Sequence, residues 1–322
     1  MGDKPEILLI DINVLAFESL RECTYQDHRF GGRPTGAIHG TLDKLSTLIR
    51  NYPTHIPIVL WDDRCYWREE ILECYKRHRY ETPEQRKVLA KYFAQIPIVR
   101  QLLGHIGIPQ LTAPGTEADD LAGVICRGID QDWAVVLATS DQDWYQALRS
   151  NVEWYSPLRG ARVALSDLQD PQIVRGGPFA STDHYIQAKA LAGDSSDGIP
   201  GVWGLGIKMA AAIIAQYGSV EALWYKHDNG TPVKGARLER VVGPDCRASF
   251  PRNLRLIDWR LGPRLSSAYR FQLGSRDEQA YADKCRAWGL ASPYQLVWPG
   301  LGAADQSANV LDAIEQVLAA ST

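Results

Sequence analysis

The chain is poor in several features that would each have fixed a class. It has only 2 methionines, and its 6 cysteines include no C-x-x-C pair. With 7 histidines at no ligand spacing from them, a zinc site is not expected, and the cysteines read as reduced, mostly buried thiols. No apolar run approaches the ~18 residues of a membrane span. The opening MGDKPEILLIDI reads as a strand, not as a charged region before a signal-peptide core. There is no glycine period, sustained heptad or internal repeat, which excludes collagen-like and coiled-coil architectures. A basic excess is also missing: 35 Lys and Arg stand against 38 Asp and Glu, a net charge of −3. Taken alone, that balance speaks against a nucleic-acid partner. What is present is ordinary for a globular protein. Of 322 residues 45% are hydrophobic and 23% charged, and 10 Trp and 14 Tyr leave little room for long disorder.

The first half alternates strand-like apolar runs with helical patterns, which predicts an α/β fold with a central, mostly parallel sheet and helices on both faces. Strands are expected at Ile7–Asp11, Ile56–Trp61, Ile108–Leu111, Ala134–Ala138 and Val152–Tyr155. Arg162–Leu165 would pair back on the last through an Arg159-Gly160 turn. Helices are expected at Gly36–Arg50, Trp67–Arg79, Pro83–Gly104 and Glu117–Ile129. Thr82-Pro83 has the form of an N-cap followed by proline at the first helical position, and Pro97 should kink or end that helix. Beyond the polar stretch Asp167–Pro178, Thr182–Ala192 and Ile207–Tyr217 read as helices flanking a loop rich in Gly, Ser, Asp and Pro. Asn309–Leu318 is an amphipathic packing helix.

Three strands finish on acids: ILLID at Asp11, PIVLWDD at Asp62 and Asp63, and AVVLATSDQD at Asp141 and Asp143. In a parallel sheet the carboxyl ends of strands line one edge, where the ligand crevice lies, so these acids converge. Singly, each could be a turn or cap aspartate; together they argue for a shared site. TEADD adds Glu117, Asp119 and Asp120 in the first turn of a helix, with Thr116 and Asp119 as a possible capping box. GDSSDGIPG adds Asp194 and Asp197, three apart, on one side of a helical turn or in a polar Asx-turn loop. Two carboxylates ~4 Å apart repel by about 4 kcal/mol at an effective dielectric near 20. Nine acids in one cleft must therefore keep protons or hold divalent cations. Oxygen ligands without His or Cys select Mg²⁺ or Mn²⁺, and the count suits two ions placed for in-line attack at a phosphodiester.

These residues resemble the 5′-nuclease family, the flap endonucleases and 5′→3′ exonucleases that include the nuclease domain of bacterial DNA polymerase I and bacteriophage exonucleases. Over about residues 7–218 the elements come in the family's order: the strand ending in Asp11, PTGAIHG, the WDD strand end, YKRHR, TEADD, TSDQD and GDSSDGIPGVWGLGIK. The resemblance implies a PIN-like nuclease core with a helical arch, over residues 1–178 with the arch at about 64–105. It further implies a helix–three-turn–helix subdomain for duplex DNA at 179–265 and a helical extension at 266–322 that packs on the core. Asp11, Asp62, Glu117, Asp119 and Asp120 would surround one metal, and Asp141, Asp143, Asp194 and Asp197 the second. Lys76 and Arg79 match the family's active-site lysine and its companion arginine. Ile12, Ser140 and Gly198 depart from common Gly, Gly and Asn, which touches loop geometry and removes no carboxylate.

Lys76 and Arg79 are then expected to neutralise the scissile phosphate, where helix C-terminal complementation is the plainer alternative. Tyr75 could stack a terminal base or pack in the core. Arg86, Lys87 and Lys91 would line the arch; without the resemblance they are a solvated face. Gly201, Gly204 and Gly206 permit close backbone approach, and with Lys208 they would grip duplex DNA by its phosphates, often with K⁺ in this family. Arg252 and Arg255 are weaker candidates to extend that contact. The expectation is a stand-alone, monomeric 5′-nuclease acting in the cytoplasm of a bacterial or phage-infected cell, in replication or repair, and leaving 5′-phosphorylated products. A haloacid-dehalogenase-like phosphatase would want an acid where Asn13 stands. A PIN-domain ribonuclease would lack the helix–three-turn–helix segment. A non-catalytic DNA-binding protein would be expected to lack some of the nine acids. Setting those nine aside leaves 29 acids against 35 bases, so the acidic total conceals a mildly basic remainder.

Overall fold

The structure is a computed structural model that describes residues 4–290 and 304–322. Five apolar runs form parallel strands, β1 (Glu6–Asp11), β4 (Ile56–Leu60), β5 (Gln110–Thr112), β6 (Ala134–Ala138) and β7 (Val152–Ser156). Antiparallel edges close both sides, β8 (Ala161–Val163) on β7 and β11 (Arg270–Gln272) on β5, giving the order β11-β5-β4-β1-β6-β7-β8. Two two-residue hairpins, β2 with β3 (Arg29–Phe30, Arg33–Pro34) and β9 with β10 (Gly193–Asp194, Ile199–Pro200), stand apart from this sheet. Alternation sends Ile7 and Leu9 of β1 to one face and Leu8 and Ile10 to the other, and all four are fully buried.

One face is covered by α1 (Ile12–Arg21), α2 (Gly36–Asn51), α4 (Pro83–His105) and α11 (Glu278–Ala287). The opposite face receives α5 (Ala118–Gly128), the helices α6 (Thr182–Ala192), α7 (Ile207–Tyr217), α8 (Val220–Asp228), α9 (Ala236–Val242) and α10 (Pro244–Ile257), and finally α12 (Ala304–Ala320). Between β4 and α4 lies the short α3 (Tyr66–Ile71). Chain direction away from β1 reverses between β4 and β6, the switch point at which doubly wound sheets hold ligands.

Several expectations need correcting. Trp67–Arg79 is not one helix: α3 stops at Ile71, Leu72 is extended, and Lys76 takes the left-handed region with φ 53° before a 3₁₀ turn at Arg77–Tyr80. Pro97 does not end its helix: it lies on the exposed face, and α4 continues to His105. Thr82 does cap α4, and Gln85 completes a capping box with it. At α5 the cap is Glu117 rather than Thr116, with Asp120 accepting from the Glu117 amide. Asp194 ends β9 and Asp197 lies on the loop of the β9–β10 hairpin, so neither is on a helical turn; Asp194 accepts from both the amide and hydroxyl of Ser196, an Asx-turn. The extension expected to be helical also contributes a strand, β11. Helix α1 was not anticipated although Ile12, Leu15, Ala16 and Leu20 keep helical spacing, because it starts on the residue that follows the end of β1 and its first apolar residue continues the strand's run.

Candidate active site

Each strand end delivers its acid to the switch point. Asp11, 5% exposed, ends β1 and caps α1; its carboxylate accepts from the Val14 amide at 3.1 Å and the Thr139 hydroxyl at 3.0 Å. Asp62, just past β4, accepts from the Ala118 amide at 2.8 Å and so fastens the start of α5 to the sheet. Asp141, past β6, accepts from the Asp143 amide. Asp119 accepts from the Asp120 amide. Asp11, Asp62 and Asp119 form no ion pair among the described residues. Burial, then the charges of Asp62 and Asp141, holds the Asp11 carboxyl well above the ordinary range. Asp62 opens to solvent at the mouth of the crevice, yet the surrounding protein and then the Glu117 charge push it up to about 6. Asp119 is raised by burial and by Asp120.

The remaining acids are met by cations. Glu117 accepts from Lys76 Nζ at 2.5 Å, Arg68 Nη1 at 2.8 Å and the Tyr75 hydroxyl at 2.8 Å. Burial alone would raise its pKa, but Lys76 and Arg68 outweigh that and bring it down to about 2. Arg68, 2% exposed, forks onto both oxygens of Asp120 at 2.7 Å, and its Nε donates to the Leu256 carbonyl. Cys65, Glu117 and Asp120 also come together as a possible ligand group, but the guanidinium already stands among them. Both Asp120 oxygens bond Arg68, so Asp120 enters the expected ligand set already paired with a cation, as Glu117 does.

A second group joins Asp143, Asp194 and Asp197, whose ligand atoms lie within 4.8 Å of one another. Lys189 of α6 reaches into it, bonded to Asp143 and, at 2.8 Å, to Asp194. Burial raises Asp143 to about 8 against the pull of Lys189; at Asp194 Lys189 wins over burial and the pKa is lowered. Asp197 bonds Arg79 at 3.0 Å and the Tyr75 hydroxyl at 3.1 Å, and Lys76 Nζ lies 3.8 Å away. The Lys76 amide donates to the Asp197 carbonyl, so its left-handed backbone is pinned to the hairpin loop. All donors are hard oxygens without histidine, and the uncompensated Asp11–Asp62 pair together with the Asp143–Asp194–Asp197 group suits Mg²⁺ or Mn²⁺.

These shifts set a pH dependence. Asp11 and Asp62 hold protons in the folded protein that the unfolded chain gives up near pH 4. Without metal, their stabilising contribution is full below that pH and is lost as pH rises, for Asp62 through about 6. Divalent ions replace those protons. Saturating Mg²⁺ is therefore expected to raise the thermal unfolding midpoint by several degrees at pH 8 and by little at pH 5; equal increments at both would refute it.

Two site residues escaped sequence reasoning. Lys189 stands four residues before Gly193 in an unremarkable helix, and only its position one turn below Asp194 hinted at a role. Arg68 lay inside a segment read as one amphipathic helix. Tyr75 is placed differently from the stacking role: it is 6% exposed and its hydroxyl joins Glu117 to Asp197, which leaves the ring packed inside. Arg86 folds back on the Tyr80 and Glu81 carbonyls, while Lys87 is exposed and Lys91 half-buried on α4. Gly201 packs so closely on Ala192 that a Cβ would lie 2.0 Å from its carbonyl oxygen. Gly204 needs its glycine for φ 75°; Gly206, the cap of α7, has nothing within 4 Å of a would-be Cβ, and Lys208 is exposed beside it. Among the described residues Arg252 bonds Asn253, and Arg255 is exposed.

Comparison with known proteins agrees with this geometry. The family model described as 5′-3′ exonuclease, N-terminal resolvase-like domain, matches residues 6–174, and that described as 5′-3′ exonuclease, C-terminal SAM fold, matches residues 180–250. DNA polymerase I of Mycobacterium tuberculosis is 32% identical over 261 residues, covering 79% of this chain and 27% of the polymerase. The chain thus spans about a quarter of the length of the curated relatives it matches. Among solved structures, the 5′-exonuclease of bacteriophage T5 with bound zinc superposes with a TM-score of 0.63 at 23% identity, covering 79% of this chain and 89% of that one. The T5 flap endonuclease in a pseudo-enzyme–product complex with DNA and metal ions gives a TM-score of 0.65 at 21% identity, covering 96% and 99%. Those two likenesses establish a shared fold. With one model spanning the sheet that carries the acids and the other the helices that follow it, this chain belongs to the 5′–3′ exonuclease family.

Proposed function

We propose that this chain is a divalent-metal-dependent 5′-nuclease that hydrolyses phosphodiester bonds at DNA 5′ ends, flaps, nicks or gaps. The observation that carries the reading is the convergence of two carboxylate groups on the switch point with Lys76 and Arg79 reaching in between them. Asp11 and Asp62, with Glu117 and Asp119 beside them, would hold one Mg²⁺ or Mn²⁺; Asp143, Asp194 and Asp197 would hold a second, and Asp141 stands between. When bound, such ions neutralise phosphate charge and activate water for attack.

The protein's own groups do the rest. Lys76 and Arg79, now paired with Glu117 and Asp197, exchange these partners for the oxygens of the scissile phosphate as its charge grows. Burial raises both Asp11 and Asp62, with Asp62 acting on Asp11 and Glu117 on Asp62, so the metal-free site takes up a proton at Asp62 as pH falls through about 6 and gives it up when an ion binds. Duplex DNA would lie along Gly204, Gly206 and Lys208, where open backbone and a free helix terminus meet a phosphate, with K⁺ as a further ligand of that turn. Lys87 and Lys91, with Arg86, would face the single-stranded 5′ end along α4. The protein would work as a monomer in the cytoplasm of a bacterial or phage-infected cell. No helix among the described residues is long and apolar enough to cross a membrane.

Cleavage of 5′-flap, nicked and linear duplex substrates with Mg²⁺ and with excess chelator tests this. A loss of at least about 10³-fold in chelator is expected, since stabilising the charge that builds up on the phosphate supplies most of the rate enhancement. Undiminished cleavage in chelator would sink the reading.

A further inference from the structure

Helix α4 carries a buried polar face that packing alone does not call for. Tyr92, 6% exposed, donates its hydroxyl to Asn13 Oδ1 at 2.5 Å, and its ring stacks on Phe17 with centroids 4.1 Å apart. One turn on, Gln95 is fully buried and accepts from the Ala37 and Ile38 amides at 2.9 and 3.3 Å. These two side chains therefore grip the N-terminal turns of α1 and α2 from the same helix. Asn13 sits two residues after Asp11, in the turn whose Val14 amide Asp11 caps. Asn13 is 5% exposed, and its Nδ2 has no acceptor among the described residues. A buried donor without a partner is costly, so an isolated packing role is a poor explanation for it. The hydrogen bond to Asn13 places the Tyr92 hydroxyl next to the Asp11 turn, and burial, then the charges of Asp62 and Asp11, holds its pKa up.

We infer that Tyr92 and Asn13 are a positioning pair that latches α4 to the Asp11 turn, so that the helix facing the 5′ strand sets the geometry of the first metal site. Removing the hydroxyl leaves both polar ends of Asn13 unpaired, and the first turn of α1 loses its tie to α4. The inference rests on the metal-site reading above and needs no direct contact between Tyr92 and DNA.

Tyr92→Phe keeps the ring on Phe17 and removes one oxygen. Expected are a fall in kcat of about tenfold, the size of one lost hydrogen bond, an unchanged KM for DNA, and a several-fold weaker Mn²⁺ affinity by calorimetry without DNA. Asn13→Ala should match it, and the double variant should be no worse than either single. A Tyr92→Phe protein with a lower unfolding midpoint but parental kcat and Mn²⁺ affinity would overturn the inference. Calorimetry keeps the two readings apart: a parent that binds Mn²⁺ but cleaves no DNA refutes the nuclease reading, and the latch still stands or falls on Mn²⁺ binding by Tyr92→Phe.

Discussion

Lys76→Ala is expected to lower kcat on a 5′-flap substrate by about 10²–10³-fold while KM for DNA changes little. Its ammonium is poised between Glu117 at 2.5 Å and Asp197 at 3.8 Å, held there by a backbone turn that an ordinary residue rarely adopts. Contacts of this kind act on charge that appears in the transition state, so they show in kcat rather than in ground-state binding. A second consequence separates this from a general loss of shape. The Lys76 and Arg68 cations overcome burial to bring Glu117 down to about 2, so its ionised form persists far into acid. Without Lys76, the Glu117 pKa rises, since Arg68 and the Tyr75 hydroxyl alone then oppose burial, and the acid limb of the pH–activity profile moves to higher pH. Full activity in Lys76→Ala would remove the lysine from the chemistry.

Arg68→Met is expected to be the most destabilising single substitution near the site. The guanidinium is 2% exposed and makes three bonds of 2.7–2.8 Å to Glu117 and Asp120. Removing one partner of a buried ion pair leaves uncompensated charge and costs about 3–5 kcal/mol, which lowers the unfolding midpoint by about 4–7 °C in a protein of this size. Asp120→Asn in the same background should recover part of that loss, because it removes one of the stranded charges. A midpoint within a degree of the parent would show that solvent replaces the guanidinium at no cost. Leu256 lies on α10, so the same side chain also ties the later helices to the acids of α5.

The sheet was legible because its strands are continuous apolar runs of the length a doubly covered sheet requires, and because Asp11, Asp62 and Asp141 mark their carboxyl ends. The helices flanking the glycine turn, Thr182–Ala192 and Ile207–Tyr217, came out at the expected bounds. What periodicity could not show was a change of backbone inside an apolar pattern. Ile71, Leu72 and Tyr75 keep helical spacing, yet the chain leaves the helix at Leu72, since Lys76 and Arg79 reach the acids only from a turn pinned to Asp197. Arg68 and Lys189 were missed for a different reason. A lone cation on a helix looks solvated until the fold supplies the buried acids that hold it.

Strand β11 bears on how the protein can be divided. Residues Arg270–Gln272 pair with Gln110–Thr112, so β5 has hydrogen-bonded neighbours on both sides only while the chain continues far past the acidic loop. A fragment cut near residue 178 would contain all of the strand-end acids and still present β5 as an open edge. Such an edge invites pairing with another copy, and the excised fragment is therefore a candidate for self-association rather than for a minimal enzyme.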